Sequence, residues 1–391
     1  MRNIKSVLPV IVVAQFCCTS LWFASNGVIN DLISSFGLDQ NAIGSLTSAV
    51  QSGFICGTFI FALLSIADRY SPSKVFLVSA LLGSFFNVCL IAESHTVISI
   101  ISLRFLTGFF LAGIYPVGMK IATDYYKEGL GQSLGYLVGA LVVGTAFPHL
   151  VKGLGSLYIW QTVLITTSTL AVLGGLAIFL FVPDGPYRKA APHFEPTAIS
   201  SAFKSRPFRL AAFGYFGHMW ELYAFWAFVP AMLTSYQVIH PDLSLNISVL
   251  AFLVIGIGGP ACALSGYLAS RSSPSKIAFL SLLLSCFCCL ASPLFFNYAS
   301  SGVFISFLLF WGVVVVADSP LLSTLVAENV LPEKKGTALT IVNCLGFAIT
   351  ILSIQLLSGL QLRHNGGVMY MMLSFGPVLG LLSLAKLRKI E

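Results

Sequence analysis

The sequence predicts an all-α membrane protein, with twelve transmembrane helices in two pseudo-symmetric six-helix bundles. Three observations carry this. Only 9% of the 391 residues are charged against 57% apolar, and mean hydropathy is +0.91, far from the roughly 25% charge of a soluble domain. Apolar runs of about 20 residues, the helical length that crosses a hydrocarbon core of about 30 Å, can be drawn twelve times. A short polar loop also occurs twice, as Ala67-Asp-Arg-Tyr-Ser-Pro-Ser-Lys74 and as Ala269-Ser-Arg-Ser-Ser-Pro-Ser-Lys276, at an offset of 202 positions.

The first span is expected over residues 7–35. Its Met1-Arg-Asn-Ile-Lys5 start has the charge of a signal peptide, but the apolar run is too long and no small-residue cleavage site follows, so it reads as an uncleaved span. Spans two and three, 42–66 and 74–93, flank the first copy of the repeated loop. Span four, 97–122, carries Arg104 and Lys120 within apolar sequence and a Tyr115-Pro116 pair. Span five, 132–152, is glycine-rich; His149, following Pro148 near its outer end, reads as a helix-end residue. Span six, 157–182, runs into the longest polar stretch, rich in Pro, Lys and Arg. That stretch is the natural linker, which gives an N-terminal bundle 1–182, a linker 183–208 and a C-terminal bundle 209–391.

The second half repeats the pattern over 209–235, 244–267, 276–297, 302–326, 337–361 and 367–385. Pro320 follows Pro116 by 204 positions, and Gly336-Thr-Ala-Leu339 echoes Gly131-Gln-Ser-Leu134 at an offset of 205. Slow growth of the offset is what short loop insertions produce. Glycines spaced for close helix packing recur at Gly53 and Gly57, Gly135 and Gly139, and Gly256 to Gly259. Duplicated halves with a polar hinge at the same relative position are a mark of secondary transporters.

Charge sets the orientation. With both termini in the cytoplasm, seventeen of the 21 lysines and arginines fall inside and only Lys152 and Arg363 outside, with Arg104 and Lys120 within a span. The positive-inside rule favours that placement, in the inner (cytoplasmic) membrane as a multi-pass protein. The net charge of +7 then reports topology, and no nucleic-acid partner is implied. All nine cysteines lie within expected spans, where they act as small apolar residues and support neither a disulfide framework nor a zinc spacing.

Twelve spans, a central linker and the duplicated loop together resemble the major facilitator superfamily over the whole chain. In that family the loop between spans two and three reads Gly-x-x-x-Asp-Arg-x-Gly-Arg-Arg/Lys. Asp68, Arg69 and Lys74 match its charges, whereas Leu64, Ser71 and Pro72 replace its glycines and one basic residue. The second copy keeps Gly266 and Arg271 but has Ser270 where the acid stands. Arg104-Phe-Leu-Thr-Gly108 resembles the family's Arg-x-x-x-Gly pattern, which implies an arginine facing the central cavity. Gly135, Gly139 and Gly144 before Pro148 are similar to its glycine-rich fifth helix, with the Gly-Pro signature scrambled. The overall texture is similar to bacterial members labelled nitrate/nitrite or cyanate transporters, although spans two and eight lack the arginines that grip nitrate there. The resemblance implies alternating access, with Asp68, Arg69, Lys74, Arg271 and Lys276 acting in gating alongside Pro116 and Pro320.

If duplicated positions build the scaffold, polar residues found in one half only are the candidates for chemistry. At an offset of about 204, Arg104 pairs with Leu308, His218 with Ala14, Glu221 with Cys17 and Asp318 with Ile114. Each introduces a group that is costly in lipid and that normally faces a partner or a wet cavity. At about 1.5 Å per residue, Glu221 lies about 17 Å along its span and Arg104 about 10 Å along its own, both near the midplane. His218 and Glu221, three apart, share a helix face. We expect Glu221, aided by His218, to be a proton-coupling site governed by burial and by the reach of Arg104. Asp318 is expected as a second protonation or cation site, and proline two residues on weakens the helix there as a bending gate would require. Lys120 is expected to pair locally with Asp124, one turn on. The alternative for these residues is a static buried ion pair or a packing hydrogen bond.

Aromatic residues crowd span seven as Tyr215, Trp220, Tyr223, Phe225 and Trp226, and Trp22 of span one stands where Trp226 does in the repeat. Most are expected to pack. Tyr115, Gln15, Asn26 and Trp226 are the remaining candidates for substrate contact, with Arg104, His218 and Glu221. The function expected is a secondary active transporter of a small anionic solute, proton-coupled and functional as a monomer. The alternative is transport of larger organic ligands, as siderophore-like carboxylate uptake or drug and metabolite efflux. A membrane metalloenzyme built on His218 and Glu221 has too few ligands. A sensor that keeps the transporter fold would be expected to carry a soluble domain. No Gly-x4-Gly-Lys-Ser/Thr loop is present, and the reading implies no cofactor and no enzyme activity.

Overall fold

The duplicated loop does the same structural job twice. Pro72 and Pro274 each stand in the first turn of a long helix, behind Ser71 and Ser273. Proline suits that position, because its missing N–H would find no helical partner there and its fixed φ is already helical. The computed structural model describes residues 7–39, 41–126, 130–155, 159–188, 202–331, 335–361 and 367–390. Part of the expected linker, and Arg2, Lys5, Lys127, Lys189, Lys334 and Arg363, lie outside the described residues.

The segment α1 is made of Val7–Thr19, Ala24–Gly27 and Ile29–Phe36. It is followed by eleven helices that are long and apolar enough to cross a membrane, among the described residues. These are α2 (Ala42–Leu63), α3 (Pro72–Ile91), α4 (Val97–Tyr125), α5 (Gln132–Leu154), α6 (Gln161–Phe181), α7 (Arg206–Ile239), α8 (Ile247–Ala269), α9 (Pro274–Tyr298), α10 (Ser301–Glu328), α11 (Lys335–Gln361) and α12 (Gly367–Leu387). No strand occurs among the described residues. Helix starts are capped where the sequence provides for it. Thr96 and Ser99 close a capping box at the head of α4, and the Asn246 side chain accepts from Val249 N at 3.1 Å at the head of α8.

The expected continuous first span is instead broken at residues 20–23. Hydroxyls at the break turn back on the backbone: Thr19 Oγ1 donates to Gln15 O at 2.8 Å and Ser20 Oγ to Cys17 O at 2.6 Å. Such local bonds compete with the helical ladder. The fourth and tenth helices are also divided, into Val97–Leu111 and Tyr115–Tyr125 and into Ser301–Ala317 and Ser319–Glu328. Pro116 and Pro320 begin the second piece of each, so the repeat extends to the position of the kink.

The first bundle contains α1 to α6 and the second α7 to α12; they meet along α2 against α11 and α5 against α8. Glycine allows the second contact. A Cβ on Gly139 would stand 2.7 Å from Gly259 O, and one on Gly259 would stand 3.0 Å from Gly139 O. At the end bearing Asp31, side chains join the bundles. Gln355 Nε2 donates to Ser48 Oγ at 2.9 Å, and Asn246 Nδ2 to Gly153 O at 3.3 Å. At the opposite end, bearing Asp68, a cleft of ≈ 300 Å³ separates α2 and α4 from α11, lined among others by Thr58, Phe61, Asp68, Lys120 and Thr337.

Candidate functional site

Three expected proton-handling residues converge in the second bundle. Glu221 of α7 is 1% exposed, and three donors surround its carboxylate: Trp311 Nε1 at 2.7 Å, Ser285 Oγ at 2.9 Å and Cys289 Sγ at 3.3 Å. These come from α9 and α10, so the acid ties three helices together. One turn earlier on α7, His218 Nδ1 lies 2.9 Å from Asp318 Oδ1, an ion-pair distance. Both ring nitrogens and both Asp318 carboxylate oxygens are shielded from solvent, so the pair is buried as a unit. Asp318 itself occupies the break in α10, so a change in its charge acts where the helix bends most readily.

Arg104 lies elsewhere. It is fully buried in the first bundle, donating from Nη2 to Trp22 O at 2.7 Å and Leu21 O at 3.2 Å, and from Nη1 to Asn87 Oδ1 at 2.9 Å. Trp22 O is open to it because α1 breaks there, while Leu21 O also accepts from Ala24 N at 3.4 Å. Asn87 in turn donates to Ser168 Oγ at 3.0 Å and Thr167 Oγ1 at 3.2 Å, which closes a network over α1, α3, α4 and α6. No ion pair joins Arg104 to Glu221 among the described residues, so the structure does not bring together the partners expected from sequence. Each bundle holds its own charged knot instead. Asn87 and Cys289, which touch the arginine and the acid respectively, stand 202 positions apart, the offset of the repeated loop.

Between the knots, aromatic side chains from both bundles meet. The Trp22 ring of α1 lies 4.7 Å from Phe54 of α2, 5.7 Å from Phe347 of α11 and 5.8 Å from Tyr223 of α7. Tyr223 lies 5.1 Å from both Trp226 and Phe347. All five are buried, at separations typical of attractive ring pairs. The other aromatics of α7 pack within the second bundle: Phe225 lies 4.7 Å from Trp311, and Trp220 Nε1 donates to Met372 O at 3.2 Å.

Polar groups border the aromatic cluster. Among the described residues, Gln15 and Gln51 are fully buried with neither amide atom partnered, and the indole N–H groups of Trp22 and Trp226 are likewise unpartnered. Asn26 donates to Thr47 Oγ1 at 2.8 Å and leaves its Oδ1 free. Tyr115 is half-buried and within electrostatic reach of Tyr215, Tyr223 and Cys262. Gln51 and Phe347 went unnoticed in the sequence, where each is one more residue of an apolar span. His149, expected at a helix end, is 2% exposed inside α5, which continues to Leu154. The helix runs through Pro148, which lies close against Gly27 of α1.

At the Asp68 end, Lys120 Nζ lies 2.8 Å from Asp68 Oδ1 as well as 3.9 Å from Asp124 Oδ1, so the expected local pair extends to the repeated loop. The loop is also strapped by the segment after α6. Arg188 donates to Tyr70 O at 2.8 Å and Asp68 O at 3.1 Å, and pairs with Asp184. The Arg271 guanidinium stacks over the Tyr267 ring at 4.6 Å. Arg69, Lys74 and Lys276 make no ion pair among the described residues. No group of three or more His, Cys, Asp or Glu side chains among the described residues is placed to hold a metal.

With this geometry in place, comparison with known proteins becomes informative. Residues 11–354 match the family model described as Major Facilitator Superfamily. The multidrug resistance protein MdtG of Proteus mirabilis (strain HI4320) is 28% identical over 296 residues, 71% of this chain and 71% of that protein. The 4-hydroxybenzoate transporter PcaK of Pseudomonas aeruginosa is 25% identical over 163 residues, 39% of this chain and 34% of that protein. Among solved structures, the human organic anion transporter MFSD10 (TETRAN) has the same fold, with a TM-score of 0.76 at 15% identity over 98% of this chain and 100% of that one.

Proposed function

The chain belongs to the Major Facilitator Superfamily and is a multi-pass membrane transporter rather than an enzyme, and from that premise we propose that it moves an aromatic, amphipathic organic solute by proton-coupled alternating access. The observation that carries this reading is the aromatic cluster shared by both bundles, Trp22 and Phe54 facing Tyr223, Trp226 and Phe347. Rings from two bodies that rock against each other give a flat solute a surface on either side, and their separation opens the site. The names of the relatives, multidrug resistance protein MdtG and 4-hydroxybenzoate transporter PcaK, lend support.

In this reading Glu221 and the His218–Asp318 pair carry the proton. A carboxylate enclosed by three donors and no cation is sensitive to any shift of α7 against α9 and α10, and the break at Asp318 lets such a shift occur. The Asp68 end faces the cytoplasm by the positive-inside rule, in the inner membrane, and a single chain suffices for transport. Asp68, Lys120 and the strap through Arg188 then brace the first bundle's side of the cytoplasmic gate, and Pro116 and Pro320 hinge it.

A second reading, a small anion of the nitrate or cyanate kind held by Arg104, draws on one observation: Arg104 Nε has no partner. Thermal stabilisation of the purified protein separates the two. Ethidium and 4-hydroxybenzoate are expected to raise the melting temperature, and nitrate to leave it unchanged; at one hundred times its Kd a ligand adds about 2.7 kcal/mol. Trp226→Ala should abolish the aromatic response. Stabilisation by nitrate alone would replace this reading with the second.

A further inference from the structure

A third set of buried polar groups belongs to neither charged knot. On α5, Thr145 and His149 stand one helical turn apart, 0% and 2% exposed, and neither Thr145 Oγ1 nor His149 Nε2 has a hydrogen-bond partner among the described residues. Neighbouring contacts fix where that face points. Gly144 and Pro148 pack on α1: an added Cβ on Gly144 would stand 2.2 Å from Thr19 Oγ1, and one on Gly27 would stand 3.0 Å from Pro148 Cβ. Val142 and Ala146 pack on α8, against Gly258 and Gly256. At 3.6 residues per turn, Thr145 and His149 fall between those two faces, turned toward the junction of the bundles. In Ala24–Gly27, the piece of α1 that packs on α5, Ser25 is fully buried and its hydroxyl has no partner among the described residues.

Buried polar groups without partners are uncommon and each calls for an explanation. Among the described residues, the cations on the neighbouring turns are already engaged. Lys152, on the next turn of α5, is paired with Asp31 at 2.7 Å, and Arg104 is held by Leu21, Trp22 and Asn87. Hydroxyls and an imidazole, each able to donate or accept, suit an uncharged hydrogen-bonding group.

We propose that His149, Thr145 and Ser25 form the hydrogen-bonding edge of the substrate site and read an uncharged hydroxyl, carbonyl or amide on the aromatic solute. The inference rests on the aromatic-solute reading above, with the rings holding the solute's face and this edge choosing its substituent. Sites built to bond a polar group reject analogues that lack it, because their own buried groups are then left unpaired.

The test uses full-length protein in nanodiscs, with empty nanodiscs as the partition control, and two matched uncharged probes, 2-naphthol and 2-methylnaphthalene. Wild type should bind 2-naphthol about tenfold tighter, the effect of one well-made hydrogen bond. His149→Leu should bring the two Kd values together by weakening 2-naphthol alone, while His149→Gln, which still donates and accepts, keeps most of the preference. Trp226→Ala should weaken both probes together. Equal binding of the probes by wild type, or equal weakening of both by His149→Leu, overturns this inference and leaves the aromatic reading standing. Binding of neither probe overturns both.

Discussion

Replacing Arg104 with leucine tests whether this buried cation holds the first bundle together or grips a solute. The side chain donates to Leu21 O, Trp22 O and Asn87 Oδ1, and all three acceptors lie in the interior. Two are backbone carbonyls at the break in α1; Leu21 O also accepts from Ala24 N at 3.4 Å, whereas Trp22 O has no other donor among the described residues. Removing a buried charged partner costs about 3–5 kcal/mol, and each acceptor left dry accounts for about 1–3 of that. At about 2–4 °C per kcal/mol for a unit the size of one bundle, the melting temperature should fall by about 6–20 °C. Arg104→Lys, a point charge that cannot span three acceptors, should fall between. Because Asn87 bonds the arginine directly, Arg104→Leu combined with Asn87→Ala should cost less than the sum of the two. The assay is a thermal-shift measurement on detergent-purified protein, paired with nitrate binding. An Arg104→Leu protein that melts within about 2 °C of wild type while losing anion binding would refute the structural role and restore the anion reading.

Other substitutions probe separate joints. Gly139→Val should lower the melting temperature by the equivalent of about 1–3 kcal/mol and reduce transport in proteoliposomes, because its Cβ would meet Gly259 O at 2.7 Å where α5 crosses α8. Glu221→Leu should cost about 1–3 kcal/mol, since it leaves the Trp311 N–H buried without an acceptor, whereas Glu221→Gln keeps an oxygen for it and should cost less than about 1 kcal/mol by the same melting assay. Asp68→Asn breaks a pair whose side chains are each 21% exposed. It should change stability by at most about 1 kcal/mol, yet speed thiol labelling of Thr337→Cys in the adjoining cleft.

The duplicated Ser-Pro-Ser-Lys loop made the two-bundle architecture legible, because proline at the head of a helix is a local rule that needs no tertiary context. Pro116 and Pro320 were legible for the same reason. The partner of Arg104 was not. Sequence reasoning searches for an opposite charge, but here two acceptors are backbone carbonyls, which have no side-chain signature, and the third is the neutral amide of Asn87. The break beside those carbonyls had a faint trace in the Thr19-Ser20 pair and the later Ser25-Asn26-Gly27 run, polar and small residues inside an apolar span. His218, Glu221 and Asp318 could be singled out because each breaks the repeat with a costly group. Their gathering in one bundle depended on helix rotation, which a span list does not contain. His149 was passed over because Pro148 suggested a helix end, whereas the helix runs through Pro148, which lies close against Gly27.

Coupled accumulation across an imposed proton gradient tests the central claim most directly. In proteoliposomes holding a gradient of one pH unit, worth 1.36 kcal/mol per proton, wild type should concentrate the aromatic solute that stabilises it best by up to about tenfold for one coupled proton. Glu221→Gln should let the same solute equilibrate without accumulating. Full accumulation by Glu221→Gln would contradict the account.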